Sequence, residues 1–123
     1  MPTKSVFSYL KFWIPVLFCM AIIFYLSSIP GKDVPPLFPY QDIVYHFGIY
    51  FLLAFFFARA LLNSYPASSV TKILVFTVVF AFIYGISDEL HQSFVPGRSV
   101  AGLDVFIDSI GGASGALLFK WLL

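Results

Sequence analysis

The chain is expected to be an all-α, polytopic membrane protein whose four transmembrane helices form an antiparallel bundle. Three observations lead there. Of its 123 residues, 60% belong to the hydrophobic set and only 11% are charged, with a mean hydropathy of +0.93. Soluble domains carry about 25% charged residues, and a chain this short could not cover so much apolar surface around one core. Sixteen phenylalanines are spread through every hydrophobic stretch rather than gathered in one. The solvent for these faces is therefore lipid. Finally, polar residues bracket four apolar runs of similar length, each about 24 to 26 Å at 1.5 Å per residue, close to what the hydrocarbon core requires.

The brackets run from Lys11 to Ser27, Asp42 to Arg59, Lys72 to Asp88 and Asp104 to Lys120. With their flanks they predict helices over approximately 7–28, 42–62, 70–92 and 103–122, all within one domain covering 1–123. The first run follows Lys4 and Lys11, but it is long and lacks a small-residue cleavage site, so it is read as an uncleaved helix. A loop rich in proline (Gly31 to Pro39) separates the first two spans. Asn63-Ser64-Tyr65-Pro66 closes the second, and Val95-Pro96-Gly97-Arg98 turns the chain between the third and fourth.

Charge then orients the bundle. Alternating spans place Lys4, Lys11, Arg59, Lys72 and Lys120 on one side, and Lys32 and Arg98 on the other. The positive-inside rule makes both termini cytoplasmic in a multi-pass protein of the cell membrane. Asp33, Asp42, Asp88, Glu89, Asp104 and Asp108 then all fall outside, with His46 and His91. A net charge of +1 without a basic stripe argues against nucleic acid. Cys19 stands alone in an apolar run and reads as a small hydrophobe.

Asp42, His46 and Tyr50 repeat at i, i+4 and i+8 on the second helix, and Asp104 and Asp108 share a face of the fourth. Asp88 and Glu89 are adjacent on the third, about 100° apart, so they are not expected to meet one partner. An ionisable group inside a span costs at least about 2.5 kcal/mol on insertion scales and so turns inward or toward a watery cavity. These residues predict an outward-opening polar pocket among the second, third and fourth helices. The ligand-binding candidates are Asp42, His46, Glu89, Gln92, Arg98, Asp104 and Asp108. Arg98 is expected to clamp Glu89 or Asp104 as their counter-charge. Asp108 is alternatively a packing residue bonded to Ser28 or Gln92. Gly111, Gly112 and Gly115 form a small-residue surface for helix packing.

Several chemistries stay weaker. A divalent-cation site from Asp42, His46, Glu89 and Asp108 ranks below simple ion pairing, because no H-E-x-x-H and no Cys/His cluster is present, and no metal or cofactor is expected. No serine stands in a G-x-S-x-G elbow. Catalytic residues are not assigned.

The ordered set Ser27-Ser28-Ile29-Pro30, Asp42-x3-His46-x3-Tyr50, Tyr84-Gly85-x3-Glu89-x2-Gln92-x-Phe94-x-Pro96-Gly97-Arg98 and Asp104-x6-Gly111-x3-Gly115 resembles the VanZ-like family over nearly the whole chain. The resemblance implies a small bacterial multi-helix membrane protein linked to susceptibility to the glycopeptide teicoplanin. It also implies Asp42, His46, Glu89, Gln92, Arg98 and Asp104 as site positions. Two departures stand out against that pattern: Ile43 where the family often has Lys, and Asp108 where it often has Asn. Both make the site more acidic. The expected partners are membrane lipid and a lipid-linked cell-wall precursor or another membrane protein. The leading reading is a protein that binds such a lipid-linked molecule at the outer leaflet. Its rivals are an enzyme acting on a lipid headgroup, with His46 as acid/base oriented by Asp42, and a structural subunit docking through its glycines.

Overall fold

In the computed structural model, residues 4–123 are described, and they form four long helices, α1 (Val6–Ser28), α2 (Gln41–Ser64), α3 (Val70–Gln92) and α4 (Gly102–Trp121), with no strand among them. A single 3₁₀ turn, Gly31–Asp33, lies between α1 and α2. Each long helix is long and apolar enough to cross a membrane. At 1.5 Å per residue the 23 residues of α1 reach about 34 Å, enough to span the hydrocarbon core.

Local chemistry sets the ends. Ser5 and Ser69 cap α1 and α3, each accepting from the backbone N–H three residues on. Tyr40 starts α2 from a left-handed conformation, φ 60°, which reverses the chain sharply after the proline-rich loop. Pro15 lies within α1 and removes one helical N–H without ending the helix.

The packing inverts the soluble rule. Large side chains such as Phe18, Phe24, Phe76, Ile83 and Leu117 are exposed, while the interior mixes alanine, glycine and polar residues with a few larger ones such as Val16, Tyr50 and Leu53. On α3 the buried positions are Ile73, Thr77, Ala81, Gly85, Asp88, Glu89 and Gln92, a stripe at helical spacing. With lipid as solvent an exposed phenylalanine costs nothing, and close helix approach is won through small residues.

The α2/α4 pair is the most extensive contact, and α1 does not touch α4. A Cβ on Gly111 would lie 2.6 Å from the carbonyl oxygen of Phe47, and one on Gly115 would overlap that of Phe51. Gly112 faces Ala81 of α3, where a Cβ would meet its methyl at 2.6 Å. The glycines thus hold α4 against α2 and α3 within this chain. They are buried, so they are not a face on which a second protein can dock, which removes the basis given above for a glycine-docked structural subunit.

At the other flank Tyr84 donates to the Met20 carbonyl at 2.8 Å, and Trp13 to Ser64 at 2.9 Å, tying α1 to α3 and α2. Phe57 and Phe80 stack at 4.2 Å between α2 and α3. Antiparallel succession brings the end of α1, the start of α2, the end of α3 and the start of α4 to one end of the bundle, which carries all the acidic residues.

Candidate functional site

The two loops at the acidic end are joined. The Gly31 N–H donates to the Pro96 carbonyl at 2.9 Å, and a Cβ on Gly31 would overlap the Gly97 carbonyl while one on Gly97 would sit tightly against Gly31 at 3.2 Å. Gly97 also takes φ 74°, a conformation that side chains resist. This junction fixes Arg98 under α1. Its Nη1 donates to the carbonyls of Leu26 at 2.7 Å and Ile29 at 3.0 Å. The residue four beyond Leu26 is Pro30, which has no N–H to give; the Leu26 carbonyl takes only a long 3.4 Å bond from the Ile29 N–H, and the guanidinium adds a shorter donor. Arg98 therefore closes the end of α1 and does not clamp Glu89 or Asp104, contrary to the expectation from charge alone.

His46 is the hub of the cluster. Its Nδ1 lies 2.7 Å from Oδ1 of Asp108, which is fully buried, and this is the only ion pair among the described residues. Asp108 does not bond Ser28 or Gln92. Ser28 instead reaches His91, which stacks on Phe24 at 4.4 Å, and Gln92 donates to Ser27. Around His46 two sets of donors gather, one with Asp88 and Asp108 and one with Glu89 and Asp104, each with its ligand atoms within 4.8 Å of one another. Asp88 and Glu89 thus fall in different donor sets and bond different partners, Ser27 and the Ala101 N–H, as their 100° separation leads one to expect.

The carboxylates differ in what holds them. Asp88 accepts from the hydroxyl of Ser27. Glu89 accepts the Ala101 N–H on Oε2 at 3.1 Å, which ties α3 to the residue before α4, while its Oε1 is buried without a partner. Oδ2 of Asp108 likewise has none, and it faces Gly85, where a Cβ would lie 3.0 Å away. Asp42 is exposed and makes no bond to His46, so Asp108 and not Asp42 orients the ring.

A cavity of about 320 Å³ opens beside this cluster. Ile23, Leu26, Ile29, Val34 and Ile49 give it apolar walls, and Ser27, His46, Tyr50, Asp88 and Gln92 a polar end. Leu26, Pro35, Asp42 and Tyr45 are its exposed members, and Arg98 also lines it. The cavity lies between α1, α2 and α3, not among α2, α3 and α4. Glu89, Asp104 and Asp108 stand behind His46, outside its lining. Tyr50 is fully buried, and its hydroxyl has no partner.

The VanZ/LLP1 family matches residues 12–123, nearly the whole chain. The protein belongs to that family. No curated protein and no solved structure matches this VanZ/LLP1 member. The match includes every residue of the His46 cluster and of the cavity.

Sequence reasoning missed three contributions. Ser27 and Ile23 of α1, and Asp88, belong to the cavity, although only Glu89 of the adjacent acids was a candidate. The signal for Asp88 was present in the Ala81, Gly85, Asp88, Gln92 stripe, where small and polar residues recur every three to four positions of an otherwise apolar helix.

Proposed function

We propose that this protein binds an amphipathic, lipid-linked cell-wall molecule at the outer leaflet and thereby changes susceptibility to glycopeptide antibiotics such as teicoplanin. The observation that carries this is the cavity whose apolar walls, on α1 and α2, lead to a buried polar end at His46, Tyr50, Asp88 and Gln92. Ligand pockets pair apolar lining with a few convergent polar groups, and about 300 Å³ is the small end of their range. That volume takes a headgroup portion and the first part of a chain. The unpaired Tyr50 hydroxyl, with the carboxylate of Asp88 beside it, suits sugar hydroxyls and amines. Carboxylates around His46 make the same end a poor host for a bare anion.

The test is retention. Protein reconstituted in nanodiscs from bacterial membrane should carry a polyprenyl-linked species identified by mass spectrometry. Ile49→Trp, which fills the cavity from its wall, should lose that species while melting near the parent, and should abolish any change in teicoplanin susceptibility. Identical bulk phospholipid in both proteins would refute the reading.

One observation favours a second reading, an enzyme acting on a lipid headgroup. The Asp108–His46 pair at 2.7 Å orients an imidazole as a general base is oriented. It requires that the retained lipid be chemically converted on incubation, and that His46→Ala stop the conversion.

A further inference from the structure

We propose that His46, Glu89 and Asp104 form a binding site for one divalent transition-metal cation, of the Zn²⁺ or Mn²⁺ class, with Asp108 as the residue that positions His46. One ring nitrogen of His46 and one oxygen each of Glu89 and Asp104 already lie within 4.8 Å of one another. Metal–ligand bonds of about 2.0 to 2.2 Å hold donor atoms at most about 4.4 Å apart, so only a small closure is needed. Nδ1 of His46 is engaged by Asp108 at 2.7 Å, which leaves Nε2 as the nitrogen free for an ion. A carboxylate on the far nitrogen fixes tautomer and ring direction, the usual arrangement behind a metal-bound histidine.

A second observation points to a cation. Glu89 is only 6% exposed; one of its oxygens takes the Ala101 N–H, while the other is buried with no partner. Four carboxylates, Asp88, Glu89, Asp104 and Asp108, surround one imidazole, and the nearby guanidinium of Arg98 is occupied by α1 carbonyls. An ion bound by Glu89 and Asp104 supplies positive charge where the basic side chain of the cluster, His46, is already engaged by Asp108. Asp104 is half-buried in the first turn of α4, which gives the ion a way in. One nitrogen and two carboxylates leave coordination positions open, and imidazole with carboxylate suits Zn²⁺ or Mn²⁺ better than the all-oxygen Mg²⁺.

The test uses the full chain in detergent, stripped with a chelator, equilibrated with Zn²⁺ or Mn²⁺ alone, desalted and assayed for bound metal. The parent should keep about one ion per chain, as expected for a single site of this donor set. Asp104→Asn and Glu89→Gln should each lower retained metal at least tenfold, and Asp108→Asn should weaken affinity by about 10- to 100-fold without removing a ligand. Asp33→Asn, which removes an exposed carboxylate of the 3₁₀ turn outside both donor sets, should bind as the parent does. Helical content and gel filtration establish that each variant is folded, and if Glu89→Gln is not, the half-exposed Asp104→Asn decides. The proposal fails if the parent keeps neither ion. It also fails if Asp104→Asn binds like the parent, or if Asp88→Asn loses the ion while Asp104→Asn retains it.

Discussion

In the last turn of α1 the Leu26 carbonyl would take its helical donor from residue 30, a proline, and has only the Ile29 N–H at 3.4 Å from the backbone. Arg98 repairs that end from 72 residues away in sequence. The repair is a pair of charge-assisted hydrogen bonds from one nitrogen, each class worth about 1.5 to 3 kcal/mol. Arg98→Ala should therefore lower the stability of the detergent-solubilised protein by about 2 kcal/mol. Arg98→Lys should lose less, because an ammonium can still reach one carbonyl. Equal melting of all three proteins would show that the contacts contribute nothing. Sequence chemistry paired Arg98 with Glu89 or Asp104, whereas its guanidinium bonds the carbonyls of Leu26 and Ile29. Charge complementarity favoured a carboxylate, whereas the vacancy left by Pro30 is a local backbone feature that only matters once the two loops meet.

At the scale of the helix, the interior is written in small residues. Buried Gly111, Gly112, Gly115 and Ala116 of α4 meet α2 and α3, and the sequence showed that surface plainly through its spacing. It could not show the direction, since a glycine face serves a neighbour in the same chain or in another equally well. Gly115→Val places new carbon on the Phe51 carbonyl and must push α4 away from α2. Overpacking of a close interface costs about 1 to 3 kcal/mol, and backbone contact puts this substitution at the upper end. Gly48→Ala is the control, because nothing lies within 4 Å of a Cβ there. It should hold or raise the melting temperature by relieving the backbone entropy of a helical glycine, worth about 0.5 to 1 kcal/mol. Thermal melts of the two variants in one detergent check the contrast, and similar losses in both would contradict it. The same logic explains the site. Helix-by-helix spacing placed His46, Glu89, Asp104 and Asp108 near one level, but Ser27 enters through a contact 61 residues away that no periodicity encodes.

For the whole molecule, sidedness decides what the cavity can meet. Lys4, Lys11, Arg59, Lys72 and Lys120 lie at one end of the bundle, and Lys32 and Arg98 at the acidic end. Of those two, Arg98 is engaged by α1, and Lys32 is exposed in the short 3₁₀ turn. Orientation follows Lys and Arg near the ends of spans and hardly counts Asp or Glu, so the excess predicts cytoplasmic termini and an outward acidic end. Single cysteines test this in a background where the buried Cys19 is replaced by Ala. Pro36→Cys and Ser99→Cys sit on exposed loop positions at the acidic end, and Ala67→Cys sits on the exposed α2–α3 turn at the other. In intact cells an impermeant thiol reagent should label the first two and leave the third untouched until the membrane is opened. The opposite pattern would turn the cavity toward the cytoplasm. An extracellular cell-wall ligand would then be out of reach, while the cation site, which depends only on side chains within the bundle, would stand or fall on its own measurement.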